Sequence, residues 1–188
     1  MKYLFGVIVC IVLVVAVFLL VLRGLTGGNK ESQITQQVKL ADYSNTETVV
    51  RFTVDGPVVA DQEHRAYRIT VGRSQVSLDT YKTYDYDLID QRTYPNTQSA
   101  YDSFLRAIDT AGFTKGDPKL KSDERGTCAS GRRTILEIIN GSSQIQRFWT
   151  TSCGKLGNFQ GATSSISQLF INQVPRADYA KLVNSLKM

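Results

Sequence analysis

A single histidine, His64, is the chain's whole supply of imidazole, and one of only three cysteines, Cys10, lies inside a long apolar run. A zinc centre needs several His, Cys, Asp or Glu ligands converging on one ion, so a typical zinc site is excluded, and no metal or other cofactor is expected. His64 falls in Asp61-Gln62-Glu63-His64-Arg65, a polar stretch between two strand signals, and the chain contains no Gly-x-Ser-x-Gly elbow. A Ser-His-Asp arrangement therefore has no support, and the histidine reads as exposed in a loop. The glycine spacings of nucleotide loops, Gly-x-x-x-x-Gly-Lys and Gly-x-Gly-x-x-Gly, are also missing, so Gly154, Gly157 and Gly161 read as backbone freedom in a connector. Strong charge is lacking too. The net +5 includes Lys2 and Arg23, which leaves +3 for everything else, and no nucleic-acid partner is expected.

Charge is wholly absent from Tyr3 to Leu22, twenty residues dominated by Val, Leu and Ile. At ~1.5 Å per residue that run matches a hydrocarbon core about 30 Å thick, and it reads as a transmembrane span with the lipid bilayer as partner of residues 3–22. It ends at Val21-Leu22-Arg23-Gly24 with no small-x-small cleavage site, and Val7-Ile8-Val9 offers no small residue before Cys10 as a lipoprotein site requires. Residues 1–23 are thus expected to be an uncleaved signal anchor, with a buried core helix the remoter alternative. Lys2 on one side against Arg23 and Lys30 on the other does not orient the span. Residues 24–47, rich in Gly, Gln, Ser, Thr and Asn, read as a polar stalk in which Val38, Leu40 and Tyr43 start a short ordered piece.

Orientation falls to the two remaining cysteines. The stretch CASGRRTILEIINGSSQIQRFWTTSC, Cys128 to Cys153, is two β-rich runs around Asn140-Gly141, a dipeptide that favours a two-residue hairpin turn. With those two as the loop, Cys128 faces Cys153 in a non-hydrogen-bonded position, where Cα atoms come within about 4.5 Å, and a disulfide is expected on the apolar face with Leu136, Ile138, Ile145 and Trp149. The same register sets Arg132 opposite Trp149 as a cation–π pair. The alternative is a pair of reduced cysteines in longer, bulged strands, with Gly131 as the bulge. A disulfide persists only outside the reducing cytoplasm, so the expectation is a single-pass cell-membrane protein whose C-terminal domain is extracytoplasmic.

Period-two alternation at Val50, Phe52 and Val54 ends at Asp55-Gly56-Pro57, and a hairpin around Gly72-Arg73-Ser74 joins Tyr67, Ile69 and Val71 to Val76 and Leu78. A further strand is placed at Tyr84 to Arg92. A helix then follows, with Asn96 or Thr97 as cap, Tyr101, Phe104, Leu105 and Ile108 on one face and Gly112 just past its end. A second helix, capped by Thr163 or Ser164, carries Ile166, Leu169, Phe170 and Val174 and stops at Pro175, and a last one carries Tyr179, Leu182, Val183 and Leu186. Residues 48–188 are therefore expected to form one α+β domain, a mostly antiparallel sheet with two to three helices on one face.

Two features suggest binding. The tyrosines Tyr81, Tyr84, Tyr86 and Tyr94 have amphipathic rings that suit sugars or a partner protein, and Lys119, Lys121 and Arg125 form a basic loop that suits anionic envelope polymer or lipid headgroups. The structural alternatives are sheet packing for the tyrosines and a solvated loop, diluted by Asp117, Asp123 and Glu124, for the cations. An envelope hydrolase would need two of Asp79, Asp85, Asp87, Asp90 and Glu137 brought together; on a strand Asp85 and Asp87 would share one face. The elements CxSGRR, FWTTSC, GNFQG and LFxxQVP, within Cys128 to Pro175, resemble single-pass, membrane-anchored proteins of candidate-phylum bacteria of the Saccharibacteria type. The resemblance implies a bacterial envelope protein with an extracytoplasmic domain and brings no activity or catalytic residues. The expected function is non-catalytic binding of an envelope polymer or a membrane protein partner.

Overall fold

The computed structural model describes residues 38–44, 46–120, 123–154 and 156–188. The membrane span, the signal anchor and most of the stalk fall outside the described residues, and among those described no helix is long and apolar enough to cross a membrane. Six strands form one antiparallel sheet: β1 (Thr48–Asp55), β2 (Arg65–Val71), β3 (Gln75–Lys82), β4 (Asp87–Pro95), β5 (Arg133–Asn140) and β6 (Ser143–Thr151), in the order β4-β3-β2-β1-β5-β6. The first four make a meander. Helix α1 (Gln98–Thr110) then carries the chain to the far side of β1, where the β5–β6 hairpin pairs, and helices α2 (Thr163–Ile171) and α3 (Arg176–Ser185) close the domain. This is the expected α+β class.

The register explains the core. Val50 pairs with Val71 and Ile138, Phe52 with Ile69 and Leu136, and Val54 with Tyr67, so alternate residues of three central strands build one apolar face. All three helices pack on it through Tyr101, Phe104, Leu105 and Ile108 of α1, Ile166 and Phe170 of α2, and Leu182 of α3. Phe170 sits in the middle, its ring centroid 5.3 Å from that of Phe52 and 5.0 Å from that of Phe104 in an edge-on contact. The Thr97 hydroxyl accepts from Ala100 N–H at 3.2 Å and starts α1. At the other end Gly112 takes φ +82° and Phe113 N–H bonds Ile108 O at 3.0 Å, which buries Phe113. The Tyr101 hydroxyl donates to Thr48 O at 2.8 Å, and burial pushes its pKa up to about 12, so it stays a neutral donor.

Four local expectations are corrected. Thr83 and Tyr86 both take φ 58°, which makes residues 83–86 a turn, and β4 begins at Asp87 rather than Tyr84. Helix α2 has Ala162 at its N-cap with no side-chain cap bond, where Thr163 or Ser164 was expected. In the cysteine hairpin the loop is Gly141-Ser142, with Asn140 paired to Ser143; Gly141 alone has positive φ (57°), as a type II′ turn requires. The register then shifts between Ile138 and Ile139, and Ile145 becomes the extra, exposed residue of a bulge. Trp149 consequently faces Ile135, and the Arg132–Trp149 pairing is not made. Leu40, in a short turn of 3-10 helix (Leu40–Tyr43), is fully buried in the main core, so this piece of the expected stalk packs as part of the domain.

Candidate functional site

Cys128 and Cys153 are disulfide-bonded, with Cα atoms 5.6 Å apart. The bridge is not a cross-strand pair on the core face. The relocated turn and the bulge together move the register, β5 and β6 end at Arg133 and Thr151, and both cysteines lie beyond those ends, Cys128 half-buried and Cys153 exposed. They meet because the chain turns back on itself. Cys128 takes φ 56°, Gly131 N–H bonds Cys128 O at 3.0 Å, and Ser152 N–H bonds Arg132 O at 3.0 Å. Ser152 Oγ returns the bond by accepting from Arg132 N–H at 2.9 Å. A Cβ on Gly131 would run into Cys128 Sγ, Cys153 Sγ and Ser152 Oγ, which accounts for glycine in the CASGRR segment.

Against this clasp lies a cleft of ≈ 630 Å³, between the open end of the hairpin and helix α2. Its floor is Phe52, Val54 and Tyr67. One wall is the clasp loop and the strand ends, with Ser130, Thr134, Thr150, Thr151 and Ser152; the other is the first two turns of α2, with Thr163, Ser164 and Ser167. Gly131, Arg132, Pro57 and Met188 complete the lining, in which no side chain carries a carboxylate. Desolvation, then the Tyr179 hydroxyl 3.1 Å away, raises the pKa of Tyr67 well above the usual phenol value. Tyr67 therefore presents a neutral hydroxyl.

A buried ionic cluster holds the same end of the sheet. Asp55, the last residue of β1, accepts from His64 Nε2 at 2.7 Å, from Arg133 Nε at 3.0 Å and from Arg133 Nη2 at 2.9 Å, while Arg133 also donates to Gly56 O. His64 has no exposed surface, which corrects the reading of it as an exposed loop residue. Asp61-Gln62-Glu63 curls into a single 3-10 turn, Asp61 accepts from Tyr84 N–H at 2.9 Å, and the Tyr84 ring stacks on the imidazole at 4.0 Å. Among the described residues His64 Nδ1 has no hydrogen-bond partner and is closed off from solvent, so the Asp55–His64 pair does not open to a substrate. The cluster is wired to the clasp: the Tyr84 hydroxyl bonds both Val59 N–H and Val59 O at 3.0 Å, and Val58 N–H donates to Ala129 O at 2.7 Å.

The sequence-predicted binding residues lie outside the cleft, and of those described only Tyr81 and Tyr86 come together, their ring centroids 5.5 Å apart. Tyr81 and Tyr86 flank Arg68, whose guanidinium carbon is 5.3 Å from each ring centroid. Tyr84 covers His64, and Tyr94 packs against the helix-side core and donates to Asp178 at 2.8 Å. Lys119 and Arg125 are exposed, Arg125 paired with Asp123 at 2.6 Å; that guanidinium holds the Asp123 carboxyl at about 2. Lys121 lies outside the described residues. Asp79 and Glu137 sit on the face opposite the helices, Asp85 is in the exposed turn, Asp87 and Asp90 are on edge strand β4, and none of the five lines the cleft. Among the described residues no three of His, Cys, Asp or Glu converge to hold a metal ion. Sequence reasoning missed both the cleft and the buried cluster. The available signal was the density of Ser and Thr on either side of the second cysteine, in FWTTSC and GATSSIS. No protein-family model matches the chain, and no curated protein matches its sequence.

Proposed function

We propose that the chain is a membrane-tethered binding protein whose folded domain works outside the cytoplasm and holds an envelope component in the cleft beside the disulfide, without catalysing a reaction. The observation that carries this reading is the coincidence of clasp and cleft. Ser130, Gly131, Arg132 and Ser152, which line the cleft, are the residues that the Cys128–Cys153 bridge fixes in place. A site walled by a disulfide loop forms dependably only in an oxidising compartment, and the uncharged run Tyr3 to Leu22 is long enough to anchor it there. The lining supports binding over hydrolysis, because its side chains offer hydroxyls and one guanidinium but no carboxylate or imidazole to act as general acid or base.

The test is crosslinking in intact cells of the full chain and of a Ser164→Phe variant. Ser164 is exposed on α2, so the added ring fills the cleft and leaves the core alone. The expected result is an envelope component recovered with the natural chain and lost with the variant. Recovery of nothing from the envelope, or equal recovery with both, contradicts the reading.

A further inference from the structure

We propose that the cleft takes an acidic saccharide, a short sugar chain carrying a carboxylate, with its hydroxyls met by the Ser and Thr walls and its carboxylate by Arg132. This rests on the cleft being the binding site and names the ligand class. Most hydroxyls of the lining are still free to bond a ligand. Ser152 Oγ is used by Arg132 N–H, and Thr151 Oγ1 accepts from Cys153 N–H at 3.2 Å. The hydroxyls of Ser130, Thr134, Thr150, Thr163, Ser164 and Ser167 bond no other side chain or backbone group among the described residues. Each offers one donor and two acceptor lone pairs, the same ambivalent chemistry as a sugar hydroxyl. Two facing walls of such groups, over a floor with the rings of Phe52 and Tyr67, match a ligand that is polar at its edges and apolar on its ring faces. The volume lies within the range of about 300–1,000 Å³ usual for small-ligand sites.

Charge narrows the class. Arg133 is bound by Asp55, and Arg65 donates to Gln62 O and His64 O, but Arg132 has no ion-pair partner among the described residues and is exposed at the rim. The lining has no acidic side chain to compete for Arg132, and a guanidinium suits a planar carboxylate in a bidentate pair. An added peptide strand fits less well. The outer edge of β6 beside the cleft is already occupied: Asn158 N–H and Phe159 N–H both bond Trp149 O at 3.1 Å, Asn158 Oδ1 accepts from Trp149 N–H at 2.8 Å, and Thr150 bridges to Gly157.

The test is calorimetric titration of the full chain in detergent micelles with three probes. These are a tetrasaccharide alternating N-acetylglucosamine and glucuronic acid, its neutral counterpart chitotetraose, and tetra-alanine. The acidic tetrasaccharide is expected to bind about tenfold or more tightly than the neutral one, the contribution of one charge-assisted pair. Arg132→Gln should reduce it to the neutral value, and Ser164→Phe should abolish both. Equal affinity for the two sugars, or an unchanged affinity in Arg132→Gln, overturns the acidic assignment, and preference for tetra-alanine overturns the saccharide. If all three probes fail while envelope crosslinking still depends on Ser164, the ligand class is wrong and the binding site stands. If that crosslinking fails as well, the proposed function falls with it.

Discussion

Asp55→Ala should lower the free energy of unfolding by about 3–5 kcal/mol, the loss typical when one partner is removed from a buried ion pair. Asp55, Arg133 and His64 are 7%, 2% and 0% exposed, so water cannot replace the lost carboxylate. Among the described residues, the substitution leaves the Arg133 guanidinium with Gly56 O as its remaining acceptor and strips His64 of its side-chain hydrogen bond. Removing both charges should hurt less than removing one: Asp55→Ala combined with Arg133→Met is expected to regain part of the loss, because no uncompensated charge is then buried. Denaturant titration reads both. A loss below about 1 kcal/mol for the single variant, the size of an exposed pair, would mean that the cluster is solvated.

Removing the disulfide is the second large effect. Changing Cys128 and Cys153 together to serine releases a loop of sequence separation 25, and chain entropy assigns that closure about 3–4 kcal/mol. The structural consequence is more selective than the energetic one. Strands β5 and β6 keep their ladder from Arg133 to Asn140, and the core keeps Leu136 and Ile138, since neither depends on the bridge. The clasp loop has less to hold it: Gly131 N–H to Cys128 O, the two bonds between Arg132 and Ser152, and Val58 N–H to Ala129 O. The double variant should therefore remain folded at low temperature with a lower midpoint of thermal unfolding, and it should lose cleft binding even where it is folded. Retained binding at full affinity would show that the bridge stabilises the domain without shaping the site.

The strands and helices were legible because they rest on local periodicity. Val50, Phe52 and Val54 alternate, Tyr101, Phe104, Leu105 and Ile108 recur on one helical face, and Gly112 stops that helix at its expected place. The disulfide was expected for a reason that proved incomplete. The turn sits one residue further along than expected and Ile145 adds a bulge, which together shift every partner beyond by three, so the cysteines meet through the turn at Cys128–Gly131 and not through strand register. His64 was misread because its burial comes from Tyr84, twenty residues along the chain, and from Asp55 and Arg133 on two other strands. No window of sequence contains such a contact. The same holds for the cleft, whose floor comes from β1 and β2 and whose walls come from the chain ends around Cys128, Cys153 and Thr163. The tyrosines were grouped by proximity in sequence, and alternation sends them to opposite sides: Tyr81 pairs across β2–β3 with Ala66, away from the helices, whereas Tyr94 packs beneath α3.

The claim that joins fold, site and compartment is that Cys128 and Cys153 are bridged on the outer side of a membrane. Labelling of intact cells with a membrane-impermeant maleimide, with and without prior reduction, tests it most directly. The account predicts no labelling of either cysteine until an impermeant reductant is added outside the cells, and then labelling of both, with Cys153, the more exposed, reacting first. Labelling of Cys153 without reductant would contradict the bridge, and protection that persists after external reduction until the cells are lysed would contradict the side.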